Sequence, residues 1–235
     1  MTSNCITGLL LASCLVFSPP GYFQHQPGRS QAASVERYLQ SADGLVPYSV
    51  TMEVTVHSGR KSVRLLNKPP LGPFTMAVVQ GTDFQDGTID VDVAGQPAAG
   101  ASDSARGFIG IAFRVGPDPG EFDCFYLRPT NGRSSDQLRR NHSAQYIAAP
   151  EFEFDRLRKE APGVYESYVD LVPGAWTHMH VVVQGQSAQL FVNGAAQPTL
   201  IVNDLKHAPV TGPVALWIGD ETDGHFSNLR VQPLR

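Results

Sequence analysis

The sequence predicts an all-β domain in which two antiparallel sheets pack face to face, and three observations predict it. Short runs with period-two alternation or β-branched and aromatic content recur along the chain. Turn residues punctuate them, with 22 Gly and 18 Pro among 235 residues. No long amphipathic helices alternate with the runs, as a parallel α/β sheet would require. Charged residues make up 17% of the chain, below the roughly 25% of an average soluble protein, which favours turns over long solvated helices. Hydrophobic residues, at 42%, suffice for a core, and no fixed-period repeat argues for a propeller or solenoid.

The runs follow in order. Residues 50–57 alternate, Gly59 turns the chain into 61–66, and Lys68-Pro69-Pro70-Leu71-Gly72-Pro73 breaks the pattern before 74–79. Asp86-Gly87 leads into 88–93, where Ile89, Val91 and Val93 share one face and Asp90 and Asp92 the other, so one side is buried and one wet. The runs 108–115 and 122–128 are joined by Gly116-Pro117-Asp118-Pro119-Gly120, a composition suited to a hairpin connection. Runs 176–183 and 188–192 flank Gly185-Gln186, Asn193-Gly194 makes the next reversal, and 214–218 and 226–231 finish the chain. About ten or eleven strands result.

Residues 1–18 read as a signal segment. The apolar stretch 6–17 is far short of the roughly 20 residues of a membrane-spanning helix, although no Lys or Arg precedes it. Leu11-Ala12-Ser13-Cys14 resembles a bacterial lipobox, so a lipid on Cys14 is the one membrane attachment the sequence offers. The expected location is exported: periplasmic, extracellular or lipid-anchored. Residues 19–45, rich in Pro, Gly, Gln and Ser, read as a flexible tether in which 34–41 offers a short helix capped by Ser34, and 46–235 as the folded domain. Cys124 is alone in that domain, so no internal disulfide staples it, and it reads as a small buried hydrophobe on a strand.

The net charge of −4 lacks the basic footprint of a nucleic-acid binder. No nucleophile elbow, phosphate-cradling glycine loop, HExxH or EF-hand spacing occurs, which removes serine hydrolase, nucleotide-dependent and zincin chemistry. The stretch 128–170 interrupts the strand rhythm as a long, loop-rich insertion. It carries seven of the chain's 18 basic residues between Arg128 and Glu160, interleaved with acids and anchored by apolar residues such as Leu138, Phe152 and Tyr165. Loops of this length are uncommon unless functional or disordered, and the anchors predict an ordered cap over one sheet face.

Four segments together resemble the concanavalin A-like lectin/glucanase jelly roll, in particular its laminin-G-like branch and the 3-keto-disaccharide hydrolase-type domain of bacterial exported proteins. They are Phe84-Gln85-Asp86-Gly87-Thr88-Ile89-Asp90-Val91-Asp92-Val93; Gly110-Ile111-Ala112-Phe113-Arg114; Trp176-Thr177-His178-Met179-His180-Val181-Val182-Val183 with Leu190-Phe191-Val192-Asn193-Gly194; and Gly212-Pro213-Val214-Ala215-Leu216-Trp217 before Phe226-Ser227-Asn228-Leu229-Arg230-Val231. The resemblance implies a jelly-roll sandwich and a carbohydrate or glycan ligand, bound on the concave sheet face or its rim loops. The fold hosts lectins, glucanases and adhesion modules alike, so two readings stand: a glycoside hydrolase, or a non-catalytic laminin-G-like binding or adhesion module.

Candidate residues follow. The Glu-x-Asp-x-Glu pattern of retaining glucanases does not occur. Glu151-Phe152-Glu153-Phe154-Asp155 instead sets three carboxylates at period two, on one face if the run is a strand, with neighbours about 6.5–7 Å apart. That spacing touches the roughly 6.5–9.5 Å of inverting enzymes. Glu151, Glu153 and Glu166 are therefore the candidate catalytic acids. Arg128, Arg139, Asn141, His142 and Tyr146, with Glu166, are the candidate lining of a sugar or uronate site, since guanidinium forks hold vicinal hydroxyls or carboxylates and aromatic rings hold sugar faces. Trp217 is a further stacking candidate. The alternative for Arg139, Arg140, Arg156 and Arg158 is pairing with Glu151, Asp155 and Glu160 to fix the loop. His178 and His180, at i and i+2, form half of a metal site that no Glu or Cys completes. No cofactor is called for; calcium, which the laminin-G-like resemblance makes plausible, could use Asp90 and Asp92, or Asp220, Glu221 and Asp223.

Overall fold

The computed structural model describes residues 1, 34–69, 72 and 74–234. Fifteen strands run through them: β1 (Val35–Arg37), β2 (Leu45–Tyr48), β3 (Val50–His57), β4 (Arg60–Asn67), β5 (Met76–Phe84), β6 (Asp86–Pro97), β7 (Ile109–Phe113), β8 (Phe122–Leu127), β9 (Ala144–Ala149), β10 (Glu166–Ser167), β11 (Thr177–Gln184), β12 (Ser187–Val192), β13 (Leu200–Val202), β14 (Gly212–Ile218) and β15 (Thr222–Leu234). Two short helices, α1 (Gln137–Asn141) and α2 (Phe154–Glu160), flank β9. One sheet has eight strands, in the order β13-β12-β11-β6-β15-β4-β3 with β1 also on β15; the other has seven, in the order β10-β9-β8-β7-β14-β5-β2. Every pairing is antiparallel.

The alternation read in the sequence is what makes the sandwich. On β6, Ile89, Val91 and Val93 are buried, and on β11 so are Met179, Val181 and Val183, while Asp90, Asp92, His178 and His180 point outward from the eight-stranded sheet. Facing them, the seven-stranded sheet contributes a row of rings. Phe113 stacks on Phe125 with centroids 6.2 Å apart, and Phe125 lies 5.6 Å from Tyr146. Both expected hairpins form, β7 with β8 and β11 with β12. Cys124 is free and buried.

The structure corrects several expectations. Residues 34–45 are not tether: β1 pairs with β15, Val35 opposite Val231, and Leu39 and Leu45 enter the core. The helix expected over 34–41 is this strand, because β15 offers an open edge that a short extended segment satisfies at once. Residues 2–33, on which the expected signal segment, Cys14 and the rest of the expected tether fall, lie outside the described residues. The insertion 128–170 contains two further strands, β9 and β10, so the sheet continues through it. The run Glu151 to Asp155 is not a strand with three carboxylates on one face. Phe152 bridges back to Ala148, and α2 begins at Phe154. Among the described residues, no helix is long and apolar enough to cross a membrane.

Candidate functional site

The outer face of the seven-stranded sheet follows from its inner one. Phe125 points into the core, so Tyr126 points out, and register places Gly110 beside Tyr126 and Trp217 beside Gly110. Glycine at 110 is required by close approach: a Cβ there would lie 2.2 Å from the Phe125 carbonyl oxygen and 2.6 Å from the Tyr126 Cα. Across that gap the Tyr126 and Trp217 rings come to 4.9 Å between centroids, and Phe108 meets Tyr126 edge-on at 6.1 Å. Trp217 remains half-buried. With Phe74, Phe122 and Phe154 these rings line a cavity of about 240 Å³ whose polar rim includes Glu153 and Asp220. Glu153 sits at the N-cap of α2 without bonding the helix through its side chain. Burial, reinforced by Asp155, pushes its carboxyl above the ordinary value.

A second cavity, of about 280 Å³, adjoins the first and shares its Phe108 and Phe154 walls. Four arginines line it: Arg106 from the approach to β7, Arg128 at the end of β8, Arg139 on α1 and Arg158 on α2. Arg128 lies near the Phe108, Tyr126 and Phe154 rings and donates to the Tyr126 hydroxyl at 2.8 Å and to Glu166 Oε1 at 3.2 Å. Arg158 donates to both oxygens of Glu166, and His142 Nε2 stands 3.5 Å from the same carboxylate. Burial pushes the Glu166 carboxyl up, and Arg158, His142 and Arg128 more than reverse it, holding it below the ordinary value. Burial also leads in pushing His142 below the usual histidine range, against the pull of Glu166.

The predicted residues are thus partly assembled and partly scattered. Arg128, Arg139 and His142 meet in the arginine cavity with Glu166 beneath them, and Trp217 forms the wall of its neighbour. Tyr146 faces the opposite way, fully buried in the core, where its hydroxyl bonds Asp123. Asn141 is exposed and accepts from the Gln137 side chain at 2.7 Å. Glu151 lies in an exposed turn, whereas Glu153 lines the aromatic cavity. Of the pairings expected to fix the loop, Arg156 does hold Glu160; Arg158 takes Glu166 instead, and Arg140 packs on Tyr168. Sequence reasoning missed Arg106, Phe108 and Tyr126. For Tyr126 the signal was Gly110 on the preceding strand of a readable hairpin; for Arg106 no local signal exists.

His178 and His180 lie across the molecule and are each bonded to a carboxylate, Asp92 at 2.9 Å and Asp90 at 2.7 Å. Of the acids considered for calcium, Asp223 is held by Arg64 through both oxygens and Glu221 by Ser102. Among the described residues, no group of three His, Cys, Asp or Glu stands close enough to hold a metal ion.

No family model matches the chain, and no curated protein matches it. Solved structures do. A carbohydrate-binding module, CBM66 from Bacillus subtilis, superposes with a TM-score of 0.54 at 11% identity, covering 80% of this chain and 94% of the other. A Bacillus subtilis protein of unknown function with a galectin-like fold gives 0.54 at 12% identity, covering 88% and 99%. The Crh5 transglycosylase in complex with NAG gives 0.53 at 12% identity, covering 89% and 88%. At such identities the likeness is one of architecture, and it shows that this chain has the concanavalin A-like jelly-roll fold.

Proposed function

We propose that the protein recognises carbohydrate in the aromatic cavity on the outer face of its seven-stranded sheet. The observation that carries this reading is the Tyr126–Trp217 pair closing to 4.9 Å over Gly110 beside acidic side chains. A sugar ring presents an apolar C–H face bordered by hydroxyls. It needs a flat ring to lie on and oxygen acceptors at the edge, which Trp217, Glu153 and Asp220 supply. The fold neighbours support the reading through their own descriptions, a carbohydrate-binding module and a transglycosylase holding NAG. Export, read from the leader-like residues, would bring this cavity to glycans outside the cytoplasm.

Glycosidic hydrolysis is a second reading, favoured by one observation: Glu153 is held toward its protonated form inside the same cavity, as a general acid must be. Glu166 does not compete for that role, since two guanidiniums keep it ionised. A glycan array combined with a hydrolysis screen that includes oxidised disaccharides tests both. Binding that Trp217→Ala weakens about tenfold supports recognition; turnover abolished by Glu153→Gln supports hydrolysis. An array on which no glycan binds the wild type overturns the proposal.

A further inference from the structure

We infer that the arginine cavity beside the aromatic groove takes the anionic substituent of an acidic sugar, a carboxylate or sulfate, whose ring lies against Tyr126 and Trp217. This inference rests on the carbohydrate reading and names the class of ligand within it.

Charge is the first support. Four guanidiniums line the cavity, and Glu166 is the one carboxylate within 4 Å of any of them among the described residues. Glu166 serves Arg128 and Arg158 together, so Arg106 and Arg139 have no acidic partner. Asp103 stands near enough to act through space on Arg106, Asp155 on Arg158 and Asp136 on His142, but all three acids are exposed and none forms an ion pair with these arginines. Unmatched arginines on an open surface would mean little, because water screens them. Here they converge on a concavity walled by Phe108 and Phe154.

Hydrogen bonding is the second. Arg106 commits its Nη1 to the Asp103 and Ala105 carbonyls. Arg139 makes one long bond, 3.5 Å to Asn131 Oδ1, and its Nε is shut off from water with no partner among the described residues. The terminal nitrogens of Arg139 are otherwise uncommitted among the described residues, and a planar or tetrahedral oxyanion in the cavity would meet them with charge-assisted bonds. Burial and the like charges of Arg139 and Arg128 also depress the Arg106 pKa, a repulsion that a bound anion relieves.

Size is the third. The two cavities, about 240 and 280 Å³, each fall just short of the roughly 300–1,000 Å³ of ordinary ligand pockets, and joined across Phe108 and Phe154 they fall within it. A ring in one compartment and a charged group in the other matches that division.

The test uses sugars differing at one substituent: glucose, glucuronate and glucose 6-sulfate, and the galactose trio, titrated by NMR into the full chain with inorganic sulfate as a separate probe. The expected result is at least about tenfold tighter binding of an acidic member than of its neutral parent, with the preferred member distinguishing carboxylate from sulfate. Arg106→Ala and Arg139→Ala, neither of which strips a partner from Glu166, should bring the acidic sugars down toward the neutral level; 1 M NaCl should do the same. Equal affinity of acidic and neutral sugars, or a preference that survives both substitutions, overturns the inference while leaving carbohydrate recognition standing. If no sugar binds but sulfate does, and Arg139→Ala removes it, the carbohydrate reading falls and the cavity is an anion site of another kind. If neither binds, both fall.

Discussion

The outer faces of the two sheets use the same residue types to opposite ends. On the eight-stranded sheet, register sets acid against base: Asp92 opposite His178 and Asp90 opposite His180 on β6 and β11. Asp92 also accepts from Arg60 at 2.7 Å and Asn228 at 2.8 Å, and Arg64 is shared between Glu53 and Asp223. Each of these four carboxylates, Asp90, Asp92, Glu53 and Asp223, has a basic partner. On the seven-stranded sheet one buried carboxylate, Glu166, answers two arginines, while two more stand without an acidic partner beside a groove lined mostly by buried and half-buried rings. A charged surface becomes a candidate site through its mismatches, and density of charge alone does not make one.

The contrast breaks most severely at Glu166. Its side chain is 2% exposed and that of Arg128 5%, so Glu166→Ala leaves a buried guanidinium without its counter-charge. Loss of one partner of a buried pair costs about 3–5 kcal/mol; Arg158, 36% exposed, can turn to water, which sets the expectation near the lower end. Urea unfolding measures it. The pH dependence has a definite sign. Because the folded state holds the Glu166 carboxyl below its ordinary value, its contribution is fully present above the unfolded value of about 4.3 and is lost as pH falls through the depressed folded one. The stability gap between wild type and Glu166→Gln should therefore narrow as pH drops below about 4, and a constant gap from pH 6 to pH 2 would remove the ion-pair account.

Gly110→Ala comes next. The added methyl group must sit where the Phe125 carbonyl oxygen and the Tyr126 backbone already are, at 2.2 and 2.6 Å. Overpacking of this kind costs about 1–3 kcal/mol. It should also part Tyr126 from Trp217 and weaken glycan binding beyond what the stability loss explains, since the two rings meet across this glycine. Full retention of binding in a folded Gly110→Ala protein would show that the ring pair is not the platform.

How much of this was legible in the sequence depended on how each residue reports its surroundings. Strands with one wet face announce themselves, and Ile89, Val91 and Val93 against Asp90 and Asp92 gave β6 directly. β9 was hidden because all six of its residues are buried and no alternation survives; a strand covered on both faces reads as an undifferentiated apolar run. The basic stretch 128–160 was conspicuous by composition, and Arg128, Arg139 and His142, singled out from it, do share one cavity. The completion of that cavity was not legible. Arg106 reaches them from the far side of two strands, Phe108 and Tyr126 from a hairpin whose outward face can be chosen only once the inward one is known. Tyr146 shows the same limit in reverse: its type suggested a site, and a one-residue step along β9 from Gln145 decides which face a side chain takes.

The mildest test lies on the matched face. Asp90 touches His180 at 2.7 Å and His178 at 3.4 Å, which at first sight makes it as well connected as Glu166. Its surroundings differ. The side chains of Asp90, His178 and His180 are 25%, 41% and 35% exposed, so each can exchange its partner for water, and solvent screening discounts the pairs. Cross-strand pairs of this sort contribute about 0.2–1 kcal/mol each. Asp90→Asn keeps the shape and an acceptor oxygen, so the expected loss is within about 1 kcal/mol, read by the same urea titration, with no change in sugar affinity because the residue lies on the opposite sheet. A loss comparable to that of Glu166→Ala would mean that the ladder is a structural keystone, and the distinction between matched scaffold and mismatched site would have to be redrawn around it.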